Sequence, residues 1–262
     1  MMILCATAQS QTIMRIHQNN GTVLQIPIST IDSITYSNNN SVNPGLVTDA
    51  SGNTYPTITI GTQVWMAENL RTTKYSDGSN IPLVKDSTQW ANNYNTGATS
   101  PMMCWYNNDQ ATYTANKFGA LYNWYAINPA TNGKKNVCPT GWHVPTDAEW
   151  NILIANLDPS YIPTANGSQS ATAGGKMKST GTQYWLSPNT GATNSSGWSG
   201  LPGGLRGPSG TFGNVGRAGY WWSSTEDSTN LAWFRFLDYS NGYVTRGTSN
   251  KPFGFSVRCL RD

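Results

Sequence analysis

The densest set of reactive side chains lies at residues 138–150, CPTGWHVPTDAEW, which brings Cys138, His143, Asp147 and Glu149 close together in the chain. A thiol, an imidazole and two carboxylates at such spacing could support nucleophilic or acid–base catalysis. A structural reading competes with the chemical one. Thr146 and Glu149 form the S/T-x-x-E capping box, whose hydroxyl and carboxylate satisfy backbone N–H groups left free at a helix start. His143 falls on the strand face opposite Trp142 with no partner in view, so a Ser-His-acid arrangement is not assembled. His17 is the other histidine, and neither the His₂ nor the Cys₂ spacing of a zinc site occurs. Glu226 and Asp227 are adjacent, whereas a glycosidase holds two carboxylates across a bond at a defined separation. Asn107-Asn108-Asp109 could offer oxygens to calcium but lacks the carboxylate spacing and distal Glu of an EF-hand loop. A turn is expected there; calcium has no supporting motif, and no cofactor is expected.

These residues need elements to hold them. Trp142 and Val144 alternate with Gly141 and His143 as a strand with one buried face would, and Pro145 stops it. From Thr146 a helix begins whose Trp150, Leu153, Ile154 and Leu157 lie at i, i+3, i+4 and i+7, one apolar stripe. Phe118, Leu121, Tyr122 and Tyr125 repeat that spacing and predict an earlier helix ending near Asn128-Pro129. Thr57–Ile60 and Val64–Met66 read as short strands. So do Tyr220–Ser224, Trp233–Leu237, Tyr243–Arg246 and Gly254–Leu260, with Ser240-Asn241-Gly242 as a hairpin turn. In the last strand Phe255, Val257 and Cys259 alternate with Ser256 and Arg258, which turns Cys259 toward the core. Residues 159–219 hold no convincing regular element, yet they carry Trp185, Trp198 and Phe212 among glycine-rich turns. Aromatic anchors argue for an ordered long loop.

Composition bounds what such a chain can be. With 262 residues, 37% of them hydrophobic, and eleven tryptophans, it can bury a sizeable core. Charged residues make up 11%, against roughly 25% in ordinary soluble domains. The net charge of +3 involves no basic cluster, which excludes the footprint of a nucleic-acid binder. No run reaches the ~18 apolar residues of a membrane span. The start, MMILCATAQSQ, reads as the end of a secretory signal, with Ala6-Thr7-Ala8 as the cleavage pattern and residues 1–8 as its remnant. Leu4, where a small residue is expected, argues against a lipid anchor on Cys5. Asn20-Gly21 between Ile13–His17 and Val23–Ile28 signals a β-hairpin, which sets off an N-terminal segment at 9–37. A linker follows at 38–46 and the main domain at 47–262. In an oxidising compartment Cys104, Cys138 and Cys259 leave one pair and one single thiol, with three pairings open.

Taken in order, GTQVWMAENL, CWYNND, FGALYNWYA, CPTGWHVPTDAEW, GYWWSSTE and GFSVRCLRD resemble the motifs of the Fibrobacter succinogenes major paralogous domain family. The resemblance runs from about Val47 to Asp262. That family is common in secreted and surface proteins of Bacteroidetes and Fibrobacteres, and is similar in turn to the formylglycine-generating enzymes and to C-type-lectin-like domains. The resemblance therefore implies an α+β, C-type-lectin-like fold with two helices, small antiparallel sheets and a long loop, here carrying an N-terminal hairpin. The oxidase chemistry of the formylglycine-generating group needs two neighbouring cysteines late in the chain. Cys259 stands alone, so that activity is not expected.

Cys259 on the inward face of the last strand and Cys138 leading into the central strand point to a Cys138–Cys259 disulfide, with Cys104 free or pairing between molecules. The expected function is non-catalytic recognition of a glycan or protein partner by a secreted or cell-surface module. The ligand-binding candidates are Trp185, Trp198 and Arg206 in the long loop, with Trp221, Trp222 and Asp227 beside it. Indole faces suit the apolar faces of sugars and also suit protein interfaces, while core packing competes for each ring. The EPN, QPD and WND signatures of calcium-dependent sugar binding do not occur. The alternatives are an enzyme of the formylglycine-generating fold acting on peptide or polysaccharide, and a structural module of a surface appendage.

Overall fold

The computed structural model describes residues 12–17, 22–30 and 45–262. The signal-like start, the Asn20-Gly21 turn and most of the 38–46 linker lie outside the described residues. Contacts divide the chain into two units, 1–40 and 41–262. In the first, β1 (Ile13–His17) and β2 (Val23–Pro27) pair antiparallel, Ile13 opposite Pro27 and His17 opposite Val23.

The second unit is α+β, with short helices set among small antiparallel sheets. It opens on the meander β3 (Leu46–Thr48), β4 (Thr54–Ile60) and β5 (Gln63–Met66). Asp49 shapes its first turn, accepting from the backbone N–H of Ser51 and Asn53 at 2.8 and 3.0 Å. Helix α1 (Ser87–Thr96) comes next where the sequence pattern predicts none, because STQWANNYNT carries no apolar stripe. Its ends make it: Asp86 accepts from the Gln89 N–H at 2.7 Å, and Gly97 leaves the helix in the left-handed region at φ 73°.

The helix expected over residues 118–128 is corrected. The segment instead forms β7 (Leu121–Tyr122), paired with β6 (Met103–Cys104), after the short helix α2 (Gln110–Ala115). One helical turn, α3 (Trp124–Ile127), then follows. Two local features forbid a longer helix. Gly119, at φ 81°, lies where a Cβ would come 2.7 Å from the Leu70 carbonyl oxygen, and Asn123 caps a new start by accepting from the Ala126 N–H at 3.0 Å. Residues 121–127 are buried on every side, and a fully buried run imitates an apolar stripe.

Strand β8 (Trp142–His143) leads into α4 (Asp147–Leu157), where Thr146 and Glu149 form the capping box and Trp150, Leu153, Ile154 and Leu157 are buried, as the sequence predicts. The 159–219 stretch is ordered but holds more regular structure than expected: β9 (Gly167–Ser170), α5 (Ala173–Met177), β10 (Leu205–Arg206) and β11 (Phe212–Gly213). Lys178 fastens this stretch to residues 238–241, its ammonium donating to the carbonyls of Thr190, Asp238 and Asn241 at 2.9, 2.8 and 2.7 Å.

Strands β12 (Ala218–Glu226), β13 (Leu231–Asp238) and β14 (Val244–Asn250) join β9 in a four-stranded sheet of order β12-β13-β14-β9. The last strand, β15 (Leu260–Arg261), inserts between β5 and β8, with Leu260 opposite both Trp65 and His143. Phe255, Val257 and Cys259 are buried as the alternation predicts, but Ser256 and Arg258 are fully buried too. Both faces of the terminal segment are therefore covered. The Cys138–Cys259 disulfide, across 121 residues of sequence, fastens it to the segment before β8. Cys104 is a buried free thiol, which rules out pairing between folded molecules.

Candidate functional site

Five of the six side chains expected to meet a ligand are in the core. Trp198, Trp221, Trp222 and Arg206 are 0% exposed and Trp185 is 1% exposed. The long loop turns its tryptophans inward, where Trp198 meets Trp221, Trp150 and Trp65 with ring centroids 5.0, 5.7 and 6.5 Å apart. Among the described residues the indole N–H groups of Trp198 and Trp150 have no partner, whereas those of Trp221, Trp222 and Trp185 do. Trp221 donates to Asn69 Oδ1 at 2.8 Å, Trp222 to the Tyr122 carbonyl at 2.9 Å and Trp185 to the Gly200 carbonyl at 3.1 Å. Arg206 lies over Trp90 and Phe212 and donates to the carbonyls of Val84, Lys85 and Gly210 at 2.6, 3.0 and 3.0 Å. Asp227 alone of the six is on the surface, in the turn between β12 and β13.

Beside that turn opens a cleft of about 450 Å³, within the range of small-ligand sites. Asn93, Tyr94 and Gly97 line it from α1 and the cap that follows, with Thr99 beyond them. Tyr125 of α3, Thr229 and Asn230 of the β12–β13 turn, Asn250 at the end of β14 and Pro252 just beyond it complete the wall. Among the described residues the lining holds no charged side chain. Among the described residues the side-chain amides of Asn230 and Asn250 have no hydrogen-bond partner within the protein, so their donors and acceptors are available.

Buried polar groups hold the walls in place. The Asn93 side chain donates to the Ser100 carbonyl at 2.6 Å, and Asn123 donates to the same oxygen at 2.9 Å, fixing the segment after α1. Across the cleft, Lys251 is 4% exposed. Its ammonium donates to Glu226 Oε1 at 2.8 Å and the Thr229 carbonyl at 2.7 Å, over the Trp124 ring. Burial raises the Tyr125 phenol above its ordinary pKa, with the Glu226 carboxylate adding to the effect, so this hydroxyl stays protonated at neutral pH. The cleft thus presents hydroxyls, amides and one exposed aromatic ring, and nothing that ionises near neutrality.

His143 does have partners, which corrects the expectation that it stands alone. Its Nδ1 lies 2.6 Å from Asp262 Oδ1 and its Nε2 2.9 Å from Glu149 Oε1. Burial opposes its charging, but the two carboxylates outweigh it and raise the imidazole pKa. With both nitrogens occupied by acids, the ring has none left to activate a nucleophile. Asp147, at the start of α4, is held by Arg235 at 2.8 Å and Arg246 at 2.8 Å. Among the described residues no group of three His, Cys, Asp or Glu side chains is placed to hold a metal ion, and no helix is long and apolar enough to cross a membrane.

Sequence reasoning missed the cleft because its residues come from four distant segments. The Asp86 and Gln89 start signals and Gly97 would have located α1 and put Tyr94 on a helix; nothing in the sequence joins that helix to Asn230 and Asn250. Taken together, the second unit is an α+β domain stapled by the Cys138–Cys259 disulfide around a tryptophan core. It belongs to the Fibrobacter succinogenes major domain family, whose model matches residues 58–261. No curated protein and no solved structure matches the chain.

Proposed function

We propose that this domain is a non-catalytic recognition module, exported to the cell surface or beyond, whose cleft between α1 and the β12–β13 turn binds a neutral glycan. The observation that carries the reading is the lining itself: unpartnered Asn230 and Asn250 amides beside Tyr94 and Tyr125, with no charged side chain among the described residues. An amide donates and accepts at once, as a ring of sugar hydroxyls requires, and an exposed aromatic face suits the apolar face of a pyranose. The Cys138–Cys259 disulfide supports export, since such bonds persist in oxidising compartments. A C-type-lectin-like arrangement is supported by the terminal strand inserting between β5 and β8 and by the long loop that precedes β12.

The test is a glycan array followed by calorimetry on the wild-type chain and on Asn230→Ala with Asn250→Ala. Loss of two hydrogen-bonding groups should weaken binding roughly tenfold or more, with the melting temperature unchanged. A bound glycan whose affinity ignores both substitutions would place the site elsewhere and remove this reading.

A further inference from the structure

Helix α1 borders a second opening. A cleft of about 390 Å³ is lined by Ser87, Thr88, Ala91 and Asn95 on one side and by Pro208 and Ser209 of the long loop on the other, and Tyr94 lines it as well as the first. Helical geometry puts Tyr94 on the ridge between the two. At about 100° per residue, Ala91, Asn95 and Thr88 fall to one side of Tyr94, and Asn93 and Gly97 to the other. Tyr94 is 56% exposed, a large ring standing free where the clefts meet.

The second wall is built, not incidental. Gly210, at φ 86°, approaches Ser87 so closely that a Cβ would lie 2.6 Å from its carbonyl oxygen. Arg206, buried behind it, donates to Gly210 and to the carbonyls of Val84 and Lys85 just ahead of α1. This clamp sets Pro208 and Ser209 opposite the helix. Arg206, read from the sequence as a ligand contact, is a positioning residue for this wall.

We infer that the two clefts form one extended site for a neutral polysaccharide chain that crosses Tyr94, with sugar units seated on both sides and one ring stacked on the tyrosine. This rests on the glycan reading of the first cleft and adds the ligand's polymeric form. From Ser87 to Gly97 the site runs about 15 Å along the helix, longer than any single sugar ring. Among the described residues neither cleft holds a charged side chain, so none of them offsets the charge of a uronate, sulfate or phosphate polymer. A strand-like peptide binds by pairing its backbone with a sheet edge, whereas the clefts present side chains from α1, α3, the turns and the end of β14.

The full chain should be probed on an array of cellulose, xylan, mannan, pullulan and galactan, with an uncharged extended peptide in parallel. The disaccharide-to-octasaccharide ladder of the polymer that binds is then titrated by calorimetry. Affinity should rise at least tenfold between the shortest and longest members. Thr88→Trp, which fills the second cleft, and Tyr94→Ala should each remove that rise; with Thr88→Trp the shortest sugar should bind as it does to the wild type, and thermal melts of both variants should match it. Equal affinity at every length overturns the inference and leaves the first-cleft reading standing. Failure of every polysaccharide, or binding of the peptide instead, overturns both.

Discussion

The guanidinium of Arg258 lies 3.7 Å from the centroid of the Trp198 ring, and both side chains are fully buried. Arg258 also donates to the Trp198 carbonyl and, at 2.8 Å, to Asn69 Oδ1. One residue four positions from Asp262 and one residue of the long loop thus form a single unit, planar cation on indole face, in the middle of the aromatic core. Burial pushes the guanidinium down to about 9, so it is still charged at neutral pH.

Removing either member should unfold the domain more readily. Trp198→Ala should cost about 3–5 kcal/mol, and Arg258→Lys should not preserve stability, because an ammonium neither stacks flat nor forks to two acceptors. Urea unfolding followed by tryptophan fluorescence reads both. A midpoint within error of the wild type for either variant would show the pair to be energetically idle.

Asp147 answers two arginines, one of them, Arg235, with a side chain only 1% exposed. Asp147→Asn leaves that buried cation uncompensated and should cost about 3 kcal/mol. Although burial opposes ionisation, Arg246 and Arg235 hold the Asp147 carboxyl below its ordinary value of 3.8. Its contribution is present above that pH and lost as pH falls through the lowered pKa. Acid unfolding of the variant should therefore be less steep than that of the wild type.

His143 acts at the other end of the pH range. Its pKa is raised above 6.5 by Asp262 and Glu149 against the opposing effect of burial. The stabilisation is complete below 6.5 and disappears as pH rises through the folded-state value. Melting temperature should fall across that window, and His143→Ala should flatten the profile there. A wild-type curve already flat above pH 6.5 would mean the imidazole is neutral in the fold.

Reduction of Cys138–Cys259 frees a closed loop of 121 residues and should lower stability by up to about 5 kcal/mol on the chain-entropy argument. Cys104 behaves oppositely. Burial pushes its thiol up to about 12, so iodoacetamide should label it only after denaturation, as peptide mapping would show.

Features set by neighbouring residues were legible in the sequence. The capping box at Thr146 and Glu149, the strands ahead of α4, the terminal hairpin and the inward Cys259 all follow from local patterns. What failed depends on the path of the chain. Whether Trp198 meets a ligand or the core is decided by the turn around it, where Gly197 at φ 70° and Ser199 at φ 55° carry it inward. The same holds for Tyr94, Asn230 and Asn250, which share a cleft only after the fold has brought α1 to the β12–β13 turn.

Lys178 gives the long loop a property that ion-organised loops lack. Three carbonyls converge on its ammonium, the kind of oxygen nest that elsewhere gathers a soluble cation. Here the cation is tethered to the same chain, so its effective concentration is set by covalent geometry and does not fall on dilution. The loop that buries Trp185 and Trp198 and presents Pro208 and Ser209 to the second cleft carries its own organising charge at neutral pH, burial having lowered the Lys178 ammonium to about 8.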